Sequence, residues 1–479
     1  MTLLNDGDIS RLKKEVLSRI TPKKSELSKI NKLTDEIIHL LKLRAQKIGL
    51  RYVFIEPQGS TGKKQTHLTS ASDIDIFVGL PTEDYQESLK LNKKARNDKI
   101  KQIFLDIVNR LFIPVTEKIG CDKREIFYAE HPYLKAKKGI YDIDIVGCFS
   151  LSKEELLKNG PITAVDRTPI HTKIINESLT SEQKNDVRLL KAFFQACYAY
   201  GDQCAVGQFG FTGFCTEVLI LHFESLFNTF QNFNSILKKP IDFFDRKPEE
   251  LLNFPRFNDD YFIIIDPTDP ERNIASSISK RAFDYVNYRI SKFLEAPFEV
   301  FFEMKPIRIL NAEELSKISS HTWVLEFLSN GTVHYTELRD KLYKLGNRIK
   351  MELEKEHTGE ERFGKCIFTV YFEKHHYSLA FYCSQNNLSK MYLRRGPPLK
   401  LKAHVEQFKA KNPNSFIKND HIWAEMKRKY VKLSQLISDY IKNIKIKGLN
   451  LINQSSIGLD TIGKKALTIL FEIILSVDG

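Results

Sequence analysis

The stretch RYVFIEPQGSTGKKQTHLTSASDIDIFVGL, residues Arg51–Leu80, decides how the chain begins to fold. Arg51–Pro57 reads as a short strand, Gly59–Ser72 as a polar loop or irregular turn, and Asp73–Leu80 as a second strand. Side chains on a strand alternate between faces. Asp73 and Asp75 therefore share one face, while Ile74 and Ile76 enter a core on the other. Tyr141–Phe149 (YDIDIVGCF) repeats the pattern with Asp142, Ile143 and Asp144. Between the two acidic strands, Ile100, Ile103, Phe104, Ile107, Val108 and Leu111 fall at helical spacing, predicting a helix over Asn97–Phe112. Strand and helix alternating in this way argue for a small α/β domain ending near residue 150.

Carboxylates projecting from neighbouring strands would converge on a small volume. They repel one another unless a cation sits among them. Mg²⁺ takes oxygen ligands and keeps substrate phosphates in its shell. Two such ions about 3.5–4 Å apart can clamp an in-line phosphoryl displacement, one at an attacking 3′-hydroxyl and one at leaving pyrophosphate. The Gly59-Ser60 turn offers N–H groups and a hydroxyl to β- and γ-phosphates. Gly-Ser alone, or one Asp-x-Asp alone, carries little information. The three pieces in this order predict nucleotidyl transfer. Gly59–Lys64 (GSTGKK) imitates a Walker P-loop, but Pro57 replaces the first glycine and Lys64 the Ser/Thr that the motif requires. That reading is rejected.

The 479 residues suggest about three domains at roughly 150 residues each. No apolar run reaches the roughly 18–20 residues that span a bilayer. The N-terminal MTLLNDGDISRLKKEVLSRI reads as an amphipathic helix with no signal-peptide apolar block. These features predict no membrane partner and a cytoplasmic protein. The 7 cysteines form no CxxC pair, which predicts a reduced intracellular chain without a zinc cluster. Net charge is +13, and Phe381–Gly479 holds 17 Lys and Arg against 7 Asp and Glu, a surplus of 17 − 7 = 10. Charge concentrated in the last fifth of the chain is the footprint of a polyanion partner, although solvated lysine-rich faces give the same count.

Further along, residues 181–230 read as mostly helical, with Val187, Leu190, Phe194 and Cys197 forming one apolar stripe. A polar loop spans about 238–258. A strand at Tyr261–Asp266 leads into the turn PTDPERN. Beyond about residue 300, strands at Thr322–Leu328, Cys366–Glu373 and Ser378–Ser384 mix with a helix at Val333–Glu354, suiting one or two α+β modules. His375 and His376 have no companion ligands, so no metal is assigned there.

Several segments together resemble the archaeal class I CCA-adding enzymes, the tRNA nucleotidyltransferases that finish the tRNA 3′ end. They are Tyr128–Tyr133 (YAEHPY), YDIDIVGCF, Ala164–His171 (AVDRTPIH), Asp186–Lys191 through Tyr200-Gly201, Gly210–Glu217, Ile265–Asn273 (IDPTDPERN), Arg394–Pro397 and His421–Met426. The likeness covers nearly the whole chain and is weakest at about 310–365 and after 440. It implies an α+β multidomain protein: a nucleotidyltransferase (polymerase β-like) head at 1–150 with a small mixed sheet, a helical neck recognising the base at 151–300, and an α+β body and tail gripping tRNA at 301–479. It implies Mg²⁺, CTP and ATP, and tRNA as partners, with a homodimer left open.

By the same resemblance, Asp73 and Asp75 would be metal ligands. Asp144 would be the third carboxylate, able to orient or deprotonate the 3′-hydroxyl, with Asp142 on the same face as its rival. Gly59, Ser60, Lys63, His171, Lys191 and Tyr200 would meet triphosphate or ribose. Arg272 would read the base edge, for which a planar guanidinium is suited. Arg394 and Arg395 would contact RNA. Two positions depart from the family: Asp73 stands where Glu is frequent and Lys63 where Arg is usual. Read without the resemblance, each residue has a plainer role. His171 would be a helix-start packing residue, Lys191 a solvated charge, Tyr200 a helix-end anchor, Arg272 a capping residue, and Arg394 and Arg395 surface charge. Two other functions stay open: a poly(A)-type, A-only or C-only terminal transferase, and a silent RNA-binding protein on this scaffold.

Overall fold

The computed structural model describes residues 6–128 and 131–478. Ala129 and Glu130, within the YAEHPY segment, lie outside the described residues. The chain forms two compact units. The first comprises Met1–Gly201, Phe211–Ile278 and Arg289–Met304. The second comprises Asp202–Gly210, Ser279–Tyr288 and Lys305–Gly479.

In the first unit, five strands form one mixed sheet: β1 (Phe54–Gln58), β2 (Asp73–Leu80), β3 (Lys123–Tyr128), β4 (Pro132–Lys138) and β5 (Tyr141–Phe149). Their order is β1-β2-β5-β4-β3. Only β2 and β5 run parallel. The alternation expected of β2 and β5 is present. Ile74, Ile76, Ile143 and Ile145 are buried and join a core supplied by Ile30, Leu33, Ile37 and Leu41 from the Lys24–Lys47 helix and by Phe104, Val108 and Leu111. On the acidic face the same strands turn apolar further along, where Phe77, Val146 and Cys148 pack with Val165.

The helix expected at Asn97–Phe112 starts earlier, at Lys93, because Asn92 Oδ1 accepts a hydrogen bond from Ala95 N. It also runs further, to Lys118, through a wide turn at Val108–Phe112. Pro114 lacks the N–H that a regular ladder would use, which accounts for the wide turn just before it. The strand at Arg51–Pro57 is shifted to Phe54–Gln58.

Next come helices Thr168–Ser178, Ser181–Ala196 and Gly213–Phe223. The Val187, Leu190, Phe194 and Cys197 stripe is fully buried. The strand expected at Tyr261–Asp266 is reduced to β6 (Ile265–Asp266), paired with β7 (Asp269–Asn273), where a turn was expected. The reason is Asn273. Its amide donates to Phe262 O and its Oδ1 accepts from Ile264 N, so a side chain replaces the ladder there.

The second unit contains β8 (Thr322–Ser329), β9 (Cys366–Glu373), β10 (His376–Cys383), β11 (Met391–Pro398), β12 (Phe416–Lys418), β13 (His421–Lys427) and β14 (Leu449–Ser455). One antiparallel sheet has the order β14-β8-β10-β9 and the other β11-β13-β12. The Tyr335–Glu354 helix buries Leu338, Leu342, Ile349 and Leu353 in the same core as β9 and β10. The expected α+β composition is met in both units. Among the described residues, no helix is long and apolar enough to cross a membrane.

Candidate active site

The parallel register sets Asp73 opposite Asp142 and Asp75 opposite Asp144. Four carboxylates thus share one face of two adjacent strands. The third strand supplies counter-charge, with Lys135 opposite Asp144 and Lys137 opposite Asp142. Their ammonium groups lie 3.6 Å from Asp144 Oδ2 and 3.8 Å from Asp142 Oδ1. Burial, reinforced by Asp73, pushes the Asp75 carboxyl up to about 6. Burial also pushes Asp144 up to about 6, with Lys135 opposing and Asp75 and Asp73 adding to the shift. Asp73 is raised by burial and by Asp142.

Asp144 Oδ1 is buried without a hydrogen-bond partner. A divalent cation would balance the carboxylates that Lys135 and Lys137 leave uncompensated and give that oxygen a partner. The donors therefore fit such an ion. They form an open array and no closed cage, for no ready-made group of three His, Cys, Asp or Glu ligands occurs among the described residues.

The Gly59-Ser60 turn lies directly against this array. Gly59 has φ +69°, and a Cβ there would stand 2.2 Å from Asp75 Oδ2. Only glycine meets both demands. Thr61 Oγ1 donates to Asp73 O at 2.7 Å, and Ser60 O accepts from Thr66 N at 3.0 Å. The turn is next gripped by the helices that follow the sheet. Lys64 Nζ donates to Glu217 Oε2 at 2.7 Å and Thr66 Oγ1 to Glu217 Oε1 at 2.6 Å. Lys191 Nζ donates to Thr66 O at 3.1 Å and lies 3.6 Å from Glu217 Oε1. Burial, only partly offset by Glu217, pulls the Lys191 ammonium down to about 8. The Tyr200 hydroxyl reaches the same place, since a Cβ on Gly213 would stand 3.1 Å from Tyr200 Oη and 3.7 Å from Lys191 Nζ.

A line of contacts leads from there to His171 and Arg272. The Phe214 ring lies 5.2 Å from Lys64 Nζ and stacks on His171 at 4.0 Å. His171 Nε2 bonds Asp266 Oδ1 at 2.9 Å and Thr268 Oγ1 at 3.0 Å. Arg272 Nη1 donates to the other oxygen of Asp266 at 2.6 Å. Burial opposes charge on Asp266, yet the hydrogen bonds from His171 and Thr268 hold its carboxyl well below the usual range. Burial lowers His171 although Asp266 pulls the other way. His171, Phe214, Arg256, Arg272 and Asn273 border a cavity of about 640 Å³.

Lys63 is not drawn into this cluster. It pairs with Glu56 at 2.5 Å beside a separate cavity of about 410 Å³. Arg394 and Arg395 are on β11 in the second unit. The Arg394 guanidinium lies 5.4 Å over Phe408, and exposed Arg395 donates to His421 Nε2 at 2.9 Å.

The structure explains why AVDRTPIH and IDPTDPERN occur together. Asp166 accepts from Phe149 N and Thr163 N, tying the segment to the end of β5. Arg167 pairs with Asp269 and His171 with Asp266. Thr66, Lys135, Lys137, Glu217 and Asp266 are not among the residues expected at the site, and Lys64 enters the sequence reading only through the rejected P-loop. For Asp266 a signal existed, because Asp-Pro-Thr is an Asx-turn pattern and Thr268 N does donate to Asp266 Oδ1.

A mixed sheet with paired acidic strands and a Gly-Ser turn defines a nucleotidyltransferase head. The profile of the tRNA nucleotidyltransferase second domain matches residues 185–303, and that of the CCA-adding enzyme C-terminal domain matches 337–454. The CCA-adding enzyme of Methanocaldococcus jannaschii is 29% identical over 443 residues, covering 90% of this chain and 91% of that one. That of Methanosarcina mazei is 26% identical over 449 residues, covering 91% of each, and that of Thermococcus kodakarensis 26% over 444 residues, covering 90% and 88%. The chain is thus similar to archaeal CCA-adding enzymes along nine-tenths of its length and matches the profiles of two of their domains.

Proposed function

We propose that this enzyme adds CMP, CMP and AMP, from CTP and ATP, to the 3′ end of tRNA without a nucleic-acid template. The observation that carries the reading is similarity to CCA-adding enzymes over nine-tenths of both chains, including their C-terminal domain. In this reading residues 1–150 are the catalytic head, 151–300 select the base, and 301–479 bind tRNA, with Arg394 and Arg395 among the contacts.

Asp73 and Asp75 would hold a divalent ion, Mg²⁺ in our reading, and Asp144 would share it. When bound, the ion would neutralise charge at the α-phosphate and lower the pKa of the attacking hydroxyl. Asp144 accepts the proton of the tRNA 3′-hydroxyl as its oxygen bonds the α-phosphorus. The bond to pyrophosphate breaks, and the electron pair leaves with it. Asp144 suits this role better than Asp142. It faces Asp75, and its side chain is 26% exposed against 41% for Asp142. Gly59 and Ser60 cradle the β- and γ-phosphates, while Lys191, Tyr200 and His171 contact triphosphate or ribose. Lys63 would join them by leaving Glu56. Arg272, aimed by Asp266, would read the base edge.

The test compares wild type with Asp75→Ala and Asp144→Ala. Both variants should keep tRNA affinity and lose nucleotide incorporation. Incorporation surviving in both would refute the catalytic assignment.

A further inference from the structure

The Gly59–His67 turn is closed at Ser60 O, which accepts from Thr66 N, and is tied to β2 where Thr61 Oγ1 donates to Asp73 O. It has no regular structure, and Gln65 lies in the left-handed region at φ +52°. Two helices distant in sequence grip it further. Arg188 Nε donates to His67 O at 3.1 Å, and Arg188 Nη2 to Gln65 O at 2.5 Å. Three residues on, Lys191 reaches Thr66. At the centre stands Glu217, 1% exposed, which takes Lys64 on one oxygen and Thr66 on the other.

We infer that Glu217 is a positioning residue for the incoming nucleotide: it locks the phosphate-binding turn and the Lys191 ammonium into one frame, so that the triphosphate meets both at a set spacing. The inference rests on the nucleotidyl-transfer reading and deepens it.

The count of charges separates this role from that of a plain structural latch. A latch needs one lysine against one glutamate. Here two ammonium groups, Lys64 at 6% exposure and Lys191 at 2%, share Glu217 as their ion-pair partner, and the Asp75 carboxylate acts on Lys64 only from beyond ion-pair distance. A buried surplus charge is costly to keep without a partner. An arriving triphosphate supplies the missing negative charge. Glu217 restrains the pair until then and sets where the surplus points. The Lys191 ammonium is held beside Tyr200 Oη, next to Gly213, and Lys64 is held over Phe214.

The experiment compares wild type, Glu217→Gln, and the double variant Glu217→Gln with Lys64→Met. The double variant has the same net charge at this site as wild type. Each is assayed for CTP and ATP incorporation at saturating tRNA, for ATP affinity by calorimetry with Mg²⁺ and no RNA, and for Tm. In Glu217→Gln the KM for both nucleotides should rise about tenfold or more, with kcat changing less than about threefold, and Tm should fall. In the double variant Tm should recover because the stranded ammonium is gone, while KM and the ATP Kd stay raised because the tether is gone. Recovery of KM together with Tm, or no change of KM in either variant, overturns the inference. If wild type binds ATP but extends no RNA, the nucleotidyl-transfer reading falls, and the Kd series decides on Glu217 by the same criteria.

Discussion

Gly59→Ala should cost far more activity than stability. The residue sits at φ +69°. In that region a Cβ costs roughly 1–2 kcal/mol. The added carbon would also stand 2.2 Å from Asp75 Oδ2, where ordinary contact begins at 3.4 Å, so the gap falls short by 3.4 − 2.2 = 1.2 Å. Asp75 must retreat by about that much. A displacement of about 1 Å at a reacting centre costs about 10²-fold in rate. We expect kcat to fall about 100-fold. Tm should fall by only a few degrees, since the shift is about 2–4 °C per kcal/mol for roughly 150–250 residues and smaller for a larger chain. Gly49→Ala is the control, because Gly49 has φ +66° and nothing within 4 Å of an added Cβ. It carries the backbone strain without the clash and should lose similar Tm and little activity. Nucleotide incorporation and thermal melts on both variants suffice. Equal activity in the two would refute the placement of Asp75 at the reacting centre.

Other expectations follow from the same geometry. Asp144→Asn should slow single-turnover incorporation by about 10²–10⁴-fold and Asp142→Asn by less than about tenfold, and the reverse ranking would make Asp142 the base. Two contributions to stability should fall as pH drops, while the raised carboxyls of Asp75 and Asp144 oppose them below about 6. The depressed carboxyl of Asp266 contributes stability that is present above its unfolded value near 4 and lost below it, and the depressed His171 adds a loss that begins as pH falls through about 6.5. His171→Gln should remove that loss, so that just below pH 6.5 Tm falls less or rises more than in wild type, and an unchanged profile would mean that His171 titrates as in an unfolded chain. RNA affinity should fall at least about tenfold between 50 and 200 mM salt, and a Kd indifferent to salt would deny phosphate contacts to the basic C-terminal region.

The period-two pattern in Asp73–Leu80 and Tyr141–Phe149 was enough to place acids on one face and isoleucines on the other. The register that sets Asp75 against Asp144 was not legible, because strand pairing is a tertiary fact. β4 escaped notice because PYLKAKK reads as a charged stretch, although its lysines alternate toward the acids. Lys64 fits no local motif except an incomplete P-loop. Its partner Glu217 lies 153 residues away, and no local pattern announces such a pair. β11 to β14 are basic and polar, and the Gly-Pro-Pro at the end of β11 suppresses a strand reading. The likeness in IDPTDPERN points to Arg272, and the Asx-turn pattern marks Asp266, but that Asp266 aims Arg272 emerges only from the bonds it makes.

The central claim is tested most directly by incubating tRNA that lacks its 3′ CCA with enzyme and Mg²⁺, giving CTP alone, ATP alone and both, and resolving products at single-nucleotide length. A CCA-adding enzyme should stop after two C with CTP alone, give no extension with ATP alone, and add three nucleotides ending in A with both. Long A tails from ATP alone, or no extension under any condition while tRNA still binds, would contradict it.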